Sequence, residues 1–267
     1  MKKSVLISCL AASIFFSGCV SSSFSKNYTS WYDEGVIPEE AFLKEGQTPE
    51  IINASENIDA KFREISSEWN WCIGSVEFNE SEIRNERINS ALTDLCKETG
   101  ARTVLWAKKF TDTKTEFSVV PQTSYHTVTV GINSTVTYPV TTYVHNYYRV
   151  NHYDYTAYLF VPIPESYKMD YAPGFAAMDL TETEREKYKQ NTGCLIDIVY
   201  KNSAAYFANL CHGDIITRIN GSDIFTAEDF YRFRKNAETG DTWKIRIVRD
   251  GAEKEITLIY GLDKLMN

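Results

Sequence analysis

After its first twenty residues the chain lacks any apolar run near the ~20 residues that a membrane-spanning helix needs, so no later segment reads as a transmembrane helix. It lacks a basic excess. Its 28 Lys and Arg stand against 36 Asp and Glu, for a net charge of −8, which argues against nucleic acid as a partner. It has no Gly-x-Ser-x-Gly and no Gly-Asn/Asp-Ser-Gly, so a nucleophilic serine has no turn to sit on. There is no His-Glu-x-x-His pair for zinc and no glycine-rich loop for phosphate. The four histidines, His126, His145, His152 and His212, are too loosely spaced to argue for a metal. These absences predict a protein that is not an enzyme and that holds no metal and no cofactor.

The first residues carry an export pattern. Lys2 and Lys3 precede an apolar stretch from Val5 to Phe16, and Ser17-Gly18-Cys19 follows. This resembles a lipoprotein signal peptide, in which small residues precede a cysteine that takes a diacylglyceryl group before cleavage. Phe16 departs from the usual aliphatic residue at that place. The earlier Leu6-Ile7-Ser8-Cys9 would leave too short an apolar region. The alternative is an ordinary secretory signal that happens to contain a cysteine. The resemblance implies removal of residues 1–18, acylation of Cys19 (palmitate among the chains) and a firm membrane anchor, since each buried CH2 contributes about 0.8 kcal/mol. Val20 in place of aspartate after the cysteine implies an outer-membrane address in the bacterial cell envelope, facing periplasm or surface. Losing Lys2 and Lys3 would make the mature chain two charges more negative.

Ser21-Ser22-Ser23 opens a polar stretch without clear period, so residues 19–48 read as a tether, although Tyr28, Trp31 and Tyr32 are also suited to packing on a domain. From about Pro49 the pattern is α/β. Ile51 and Ile52 suggest a short strand. Ile58, Phe62 and Ile65 fall at helical spacing within 53–68, and 69–78 reads as a strand. A second helix opens at Asn79-Glu80-Ser81, carries Ile83, Ile88, Leu92 and Leu95 on roughly one face, and stops at Gly100. A new strand begins at Thr103. The strand from Cys72 covers about 20 Å, and the helix returns about 22 Å to Cys96. The two sulfurs are thus able to meet, which predicts a Cys72–Cys96 disulfide in an oxidising compartment; two buried free thiols are the alternative.

Residues 111–163 are rich in Thr, Val and Tyr. Thr127 to Val130 and Thr135 to Tyr138 alternate with period two around Gly131-Ile132-Asn133-Ser134, which suits a hairpin turn. Tyrosines 138, 143, 147, 148, 153, 155 and 158 would form either an exposed aromatic surface or cross-strand packing. The α+β region therefore spans 49–165. Pro164, Pro173 and the charged stretch from Glu182 to Lys189 mark 166–191 as a linker.

From 192 to 262 the order is strand, short helix, strand, helix, two strands. The marks are Gly193 leading a strand through Val199, Ser203-Ala204, Ala208 to Leu210, Gly213-Asp214, Asn220-Gly221, Thr226 capping a helix, and Arg249-Asp250-Gly251 closing a hairpin. In combination these resemble a PDZ domain of the type found in bacterial envelope proteases. Asn209 stands where such domains usually carry glycine, and Ala204 where many carry proline. The fold class this implies is α+β: an N-terminal α/β unit extended by long antiparallel strands, then a PDZ-like β-barrel or sandwich with two helices. The resemblance further implies strand addition, with a peptide C-terminus lying beside Leu195, Ile196, Asp197 and Ile198, and its carboxylate received by the Gly193-Cys194-Leu195 backbone. Tyr231 and Arg234 would face the peptide, while Phe230 and Phe233 are better suited to core. Partners would be peptide or protein C-termini, among them an envelope protease or its substrates. A structural or surface-interaction role for the Tyr- and Thr-rich middle region is the alternative, and a protease stands behind both.

Overall fold

The computed structural model describes residues 21–33, 35–54, 57–131 and 134–261. The expected signal, Cys9 and Cys19, the expected site of lipidation, lie outside them, as do Ile132 and Asn133 of the expected hairpin turn. Residues 21–48 do not form a free tether. Helix α1 (Ser21–Lys26) buries Phe24 in the first core, edge-on to Phe78 at 4.9 Å. Strand β1 (Tyr28–Ser30) then joins the first sheet. Burying an aromatic ring stabilises by about 1.5–3 kcal/mol, enough to dock a short segment that periodicity alone reads as solvated.

The first unit continues through β2 (Glu50–Asn53), α2 (Ile58–Ser67), β3 (Asn70–Ser81), α3 (Asn85–Thr99), β4 (Thr103–Gly131) and β5 (Ser134–Pro162). The sheet order is β1-β3-β5-β4-β2; β2 runs parallel to β4 and the other pairs are antiparallel. Asn57 caps α2 by accepting the Ala60 N–H at 3.0 Å. The α3 helix starts later than its sequence suggests, because residues 79–81 extend β3. It stops at Gly100, whose φ of 76° is the left-handed conformation a C-cap glycine supplies.

The two helices lie on opposite faces of this sheet, and that decides the cysteines. Ile58, Phe62 and Ile65 of α2 pack with Cys72, Leu105 and Phe160. Ile88, Leu92, Leu95 and Cys96 of α3 pack with Trp71, Ile73 and Val104. Successive side chains of a strand point to opposite faces, so Cys72 and Cys96 have the sheet between them. Both are free thiols, and the expected disulfide is absent. Burial pushes each thiol up to about 12, which keeps it protonated and unreactive.

β4 and β5 pair almost end to end, but their neighbours are short. β3 covers β5 only from His152 to Pro162, and β2 covers β4 only from Thr103 to Trp106. Beyond the Asp112–His152 pair the hairpin is a two-stranded ribbon. The tyrosines divide accordingly. Tyr155 is buried and Tyr153 and Tyr158 pack against the cores, whereas Tyr138, Tyr143, Tyr147 and Tyr148 are exposed on the ribbon.

The second unit contains β6 (Phe175–Asp179), α4 (Glu182–Tyr188), β7 (Cys194–Val199), α5 (Ala204–Phe207), β8 (Ile215–Ile219), β9 (Ser222–Asp223), α6 (Ala227–Arg234), β10 (Thr242–Arg249) and β11 (Ala252–Ile259). Two of these, β6 and α4, arise from the stretch expected to be a linker. The main sheet runs β11-β10-β8-β7-β6 and stays open, so the unit is sandwich-like and not a closed barrel. Ile196, Ile216, Ile219, Phe230, Trp243, Ile245 and Ile247 fill its core. Buried Asp214 accepts from Arg249 Nε and Nη2, both at 2.6 Å, and from the Cys211 N–H at 2.9 Å. Asn209 replaces the expected glycine by adopting φ 58° itself, and its carbonyl accepts from Arg249 at 2.7 Å.

The two units touch directly. Trp69 stacks on Tyr200 at 4.5 Å, and its Nε1 donates to the Lys201 carbonyl at 2.8 Å. The Lys201 N–H donates to Ser67, and Lys201 pairs with Glu68. Tyr200 belongs to the first unit's core although its chain position is in the second.

Candidate functional site

An incoming strand needs a sheet edge whose N–H and C=O groups are not already paired. β7 has no such edge. It pairs with β6 on one side, from Phe175–Val199 to Asp179–Cys194, and with β8 on the other through Cys194–Ile216 and Leu195–Ile215. Strand addition beside Leu195, Ile196, Asp197 and Ile198 is therefore blocked, and that expected placement is corrected. Cys194, Leu195 and Ile196 are buried, Ile198 packs toward the first core, and Asp197 pairs with His212. The Gly193-Cys194-Leu195 backbone cannot receive a carboxylate in the way expected. The Gly193 N–H donates to the Phe225 carbonyl at 2.9 Å. Gly193 is glycine because a Cβ there would lie 2.7 Å from the Ile216 carbonyl oxygen.

The edge strands of this sheet are β11 and β6, and β6 is the one beside α6. Its outer side faces α6, and the two elements form the walls of a groove. Thr226 and Asp229 cap α6 reciprocally: Thr226 Oγ1 accepts from the Asp229 N–H at 3.2 Å, and Asp229 accepts from the Phe225 and Thr226 N–H groups at 3.1 Å. The Phe225 N–H bond is the first cause holding the Asp229 carboxyl below its usual range. Phe230 is fully buried against Phe175, and Phe233 packs on Trp243, which leaves Tyr231 and Arg234 turned toward β6 and the chain before it.

Two contacts close the groove on itself. The Tyr231 hydroxyl donates to the Ala177 carbonyl at 2.9 Å and accepts the Ala177 N–H at 3.4 Å. One side chain thus occupies both main-chain groups that an added strand would use. Further along, Asp179 Oδ1 accepts the Ala227 N–H at 2.7 Å, tying the end of β6 to the start of α6. At the other end, β6 leaves a bend at Ala172-Pro173-Gly174, with a cis bond before Pro173 and φ of 100° at Gly174. Gly174 accepts from the Tyr200 N–H and from Ser203 Oγ, and a Cβ on it would overlap the Ser203 side chain.

Arg234 lies over the Tyr231 ring at 5.3 Å. Its charge also reaches the phenols of Tyr171, Tyr200 and Tyr260, where it opposes the upward push that burial gives all three. No side-chain carboxylate bonds it among the described contacts. The groove therefore ends in a cation beside a glycine bend. Among the described residues no three His, Cys, Asp or Glu side chains gather to hold a metal.

A family model for the PDZ domain matches residues 178–259. The C-terminal unit is a PDZ domain. Among solved structures, the PDZ domain of HtrA3 bound to a phage-derived ligand, FGRWV, is 15% identical with a TM-score of 0.30, covering 33% of this chain and 81% of that one. The HtrA-type protease AlgW with a decapeptide is 20% identical with a TM-score of 0.32, covering 39% of this chain and 37% of that one. This chain thus spans little more than a third of AlgW. No curated protein matches the chain.

The residues that sequence reasoning missed are those of β6, above all Ala177. Phe175 and Ala177 are buried with Ala176 between them half-buried, and Met178 and Asp179 are exposed, but alanine and aspartate are poor strand formers. The available signal was Pro173-Gly174-Phe175, a bend feeding an apolar residue.

Proposed function

We propose that the chain is a membrane-tethered lipoprotein of the bacterial cell envelope whose PDZ domain binds peptide or protein C-termini by adding a strand along β6. The carrying observation is Ala177, whose outward N–H and C=O meet a tyrosine hydroxyl instead of a strand. A peptide replaces two hydroxyl bonds with a ladder of main-chain bonds, so exchange costs little. Tyr231 swings aside to admit it, and Arg234 with the bend at Gly174 receives the terminal carboxylate. Affinity for a single peptide is on the order of micromolar, because few side chains are anchored. Cys19 holds the domain at the membrane, and Val20 directs it to the outer membrane. The role is that of a non-enzymatic adaptor that captures exposed chain ends for an envelope protease or another partner.

The test is a C-terminal peptide library against the purified chain, repeated with amidated peptides and with Ala177→Pro. Free termini bind, amidation weakens them, and Ala177→Pro abolishes binding by removing the N–H at the open edge. Equal binding of free and amidated peptides, unaffected by Ala177→Pro, overturns the reading. In the same strains, Cys19→Ala moves the protein to the soluble fraction.

A further inference from the structure

The ribbon beyond the Asp112–His152 pair raises a separate question, because a two-stranded hairpin alone is at best marginally stable in water. From Thr113 to Gly131 it extends about 60 Å at ~3.3 Å per residue. Between Phe117 and Tyr148 it contains no Asp, Glu, Lys or Arg; all 28 basic and 36 acidic residues lie elsewhere. The pairing shows no register shift from Asp112 to Thr129, so opposite residues share a face. One face carries Phe117 opposite Tyr147, Pro121 opposite Tyr143 and Tyr125 opposite Pro139. Phe117 is 60% exposed, Tyr125 74%, Tyr143 68% and Tyr147 71%. Two threonine pairs on this face satisfy each other, Thr123 with Thr141 at 3.0 Å and Thr127 with Thr137 at 2.8 Å, while the His145 ring, opposite Val119, lies 5.9 Å from the Phe117 ring. These threonine hydroxyls keep their bonds when the face is dried.

We infer that this aromatic face of the ribbon packs against the same face of a second copy of the chain. Charge selects the occupant. The body of the protein is net acidic and repels its own kind, whereas the stretch from Phe117 to Tyr148 carries no Asp, Glu, Lys or Arg to hold a charged partner or repel another copy; Lys114, Glu116 and Arg149 stay at the ribbon's base. Area agrees: four rings, each able to bury roughly 150 Å² or more, bring two copies to on the order of 1,000 Å² of buried surface, where specific association begins. Prolines select face over edge. Pro121 and Pro139 have no N–H, which a ladder tolerates only where that group would point outward, so each outer edge lacks a donor midway along the ribbon. Two ribbons stacked about 10 Å apart need only one self-complementary patch, related by a two-fold axis.

A photo-crosslinking phenylalanine analogue at Tyr125 of the full chain, irradiated in the cell, tests this. A product of twice the chain mass, containing this chain alone, is expected. Phe117→Lys with Tyr147→Lys on the same face lowers its yield at least about tenfold. Val120→Lys with Val144→Lys puts the same charge on the opposite face and leaves the yield unchanged, which separates a lost contact from a lost ribbon. Crosslinks only to lipid or to other proteins, or equal loss in both double variants, overturn the proposal.

Discussion

The two sheets treat their exposed backbone in opposite ways. The first lets β4 and β5 run far past the core that supports them, and leaves the overrun bare of Asp, Glu, Lys and Arg from Phe117 to Tyr148. The second keeps its strands to core length, and its edge beside α6, β6, is covered by Tyr231 and tied down by Asp179. The first reads as a surface built for lasting contact, the second as a site built for exchange. Their interiors differ as well. The first unit's cores are apolar and aromatic, while the second adds a buried ion pair, Asp214 with Arg249.

The contrast is most easily broken at that ion pair. Asp214→Ala leaves Arg249 without its partner and should cost about 3 kcal/mol, near the low end for a buried pair because Arg249 is partly exposed. Denaturant unfolding should show this loss in the PDZ domain with the first unit's transition unmoved; a joint shift would mean the units unfold as one. A smaller effect sharpens the account of β6. Tyr231→Phe removes the hydroxyl that covers Ala177, and peptide affinity should rise by about three- to tenfold, the worth of roughly one hydrogen bond. An affinity that falls instead would make the hydroxyl part of the ligand contact. The smallest effect concerns the ribbon. Joining Thr113 to Asn151 through a two-residue turn should leave the first unit's stability within about 0.5 kcal/mol. A larger loss would show that the ribbon supports its own fold.

Much of this was legible in the residues. The helix ending at Gly100 and the hairpin of alternating Thr and Val follow from periodicity, caps and turns, and the marks from Gly193 onward carried the resemblance to a PDZ domain. The groove was legible only on one side. Thr226 and the spacing of Phe230 and Phe233 locate α6, but β6 is short, rich in alanine and lies between Pro173 and the charged α4, so the open edge was assigned to β7. The Cys72–Cys96 estimate matched distances along strand and helix and ignored on which face each sulfur sits. The stretch after Cys19 escaped because a six-residue helix and a three-residue strand are too short for any period to show.

The stack of Trp69 on Tyr200 has a mechanical meaning. It joins the sheet that bears the ribbon to the residue whose N–H holds Gly174, at the mouth of the groove. It shares the junction with the Trp69–Lys201 and Lys201–Ser67 bonds, all at the end of the sheet whose ribbon reaches out about 60 Å. Whatever unseats the Trp69 ring from Tyr200 therefore also disturbs the bend that shapes the site.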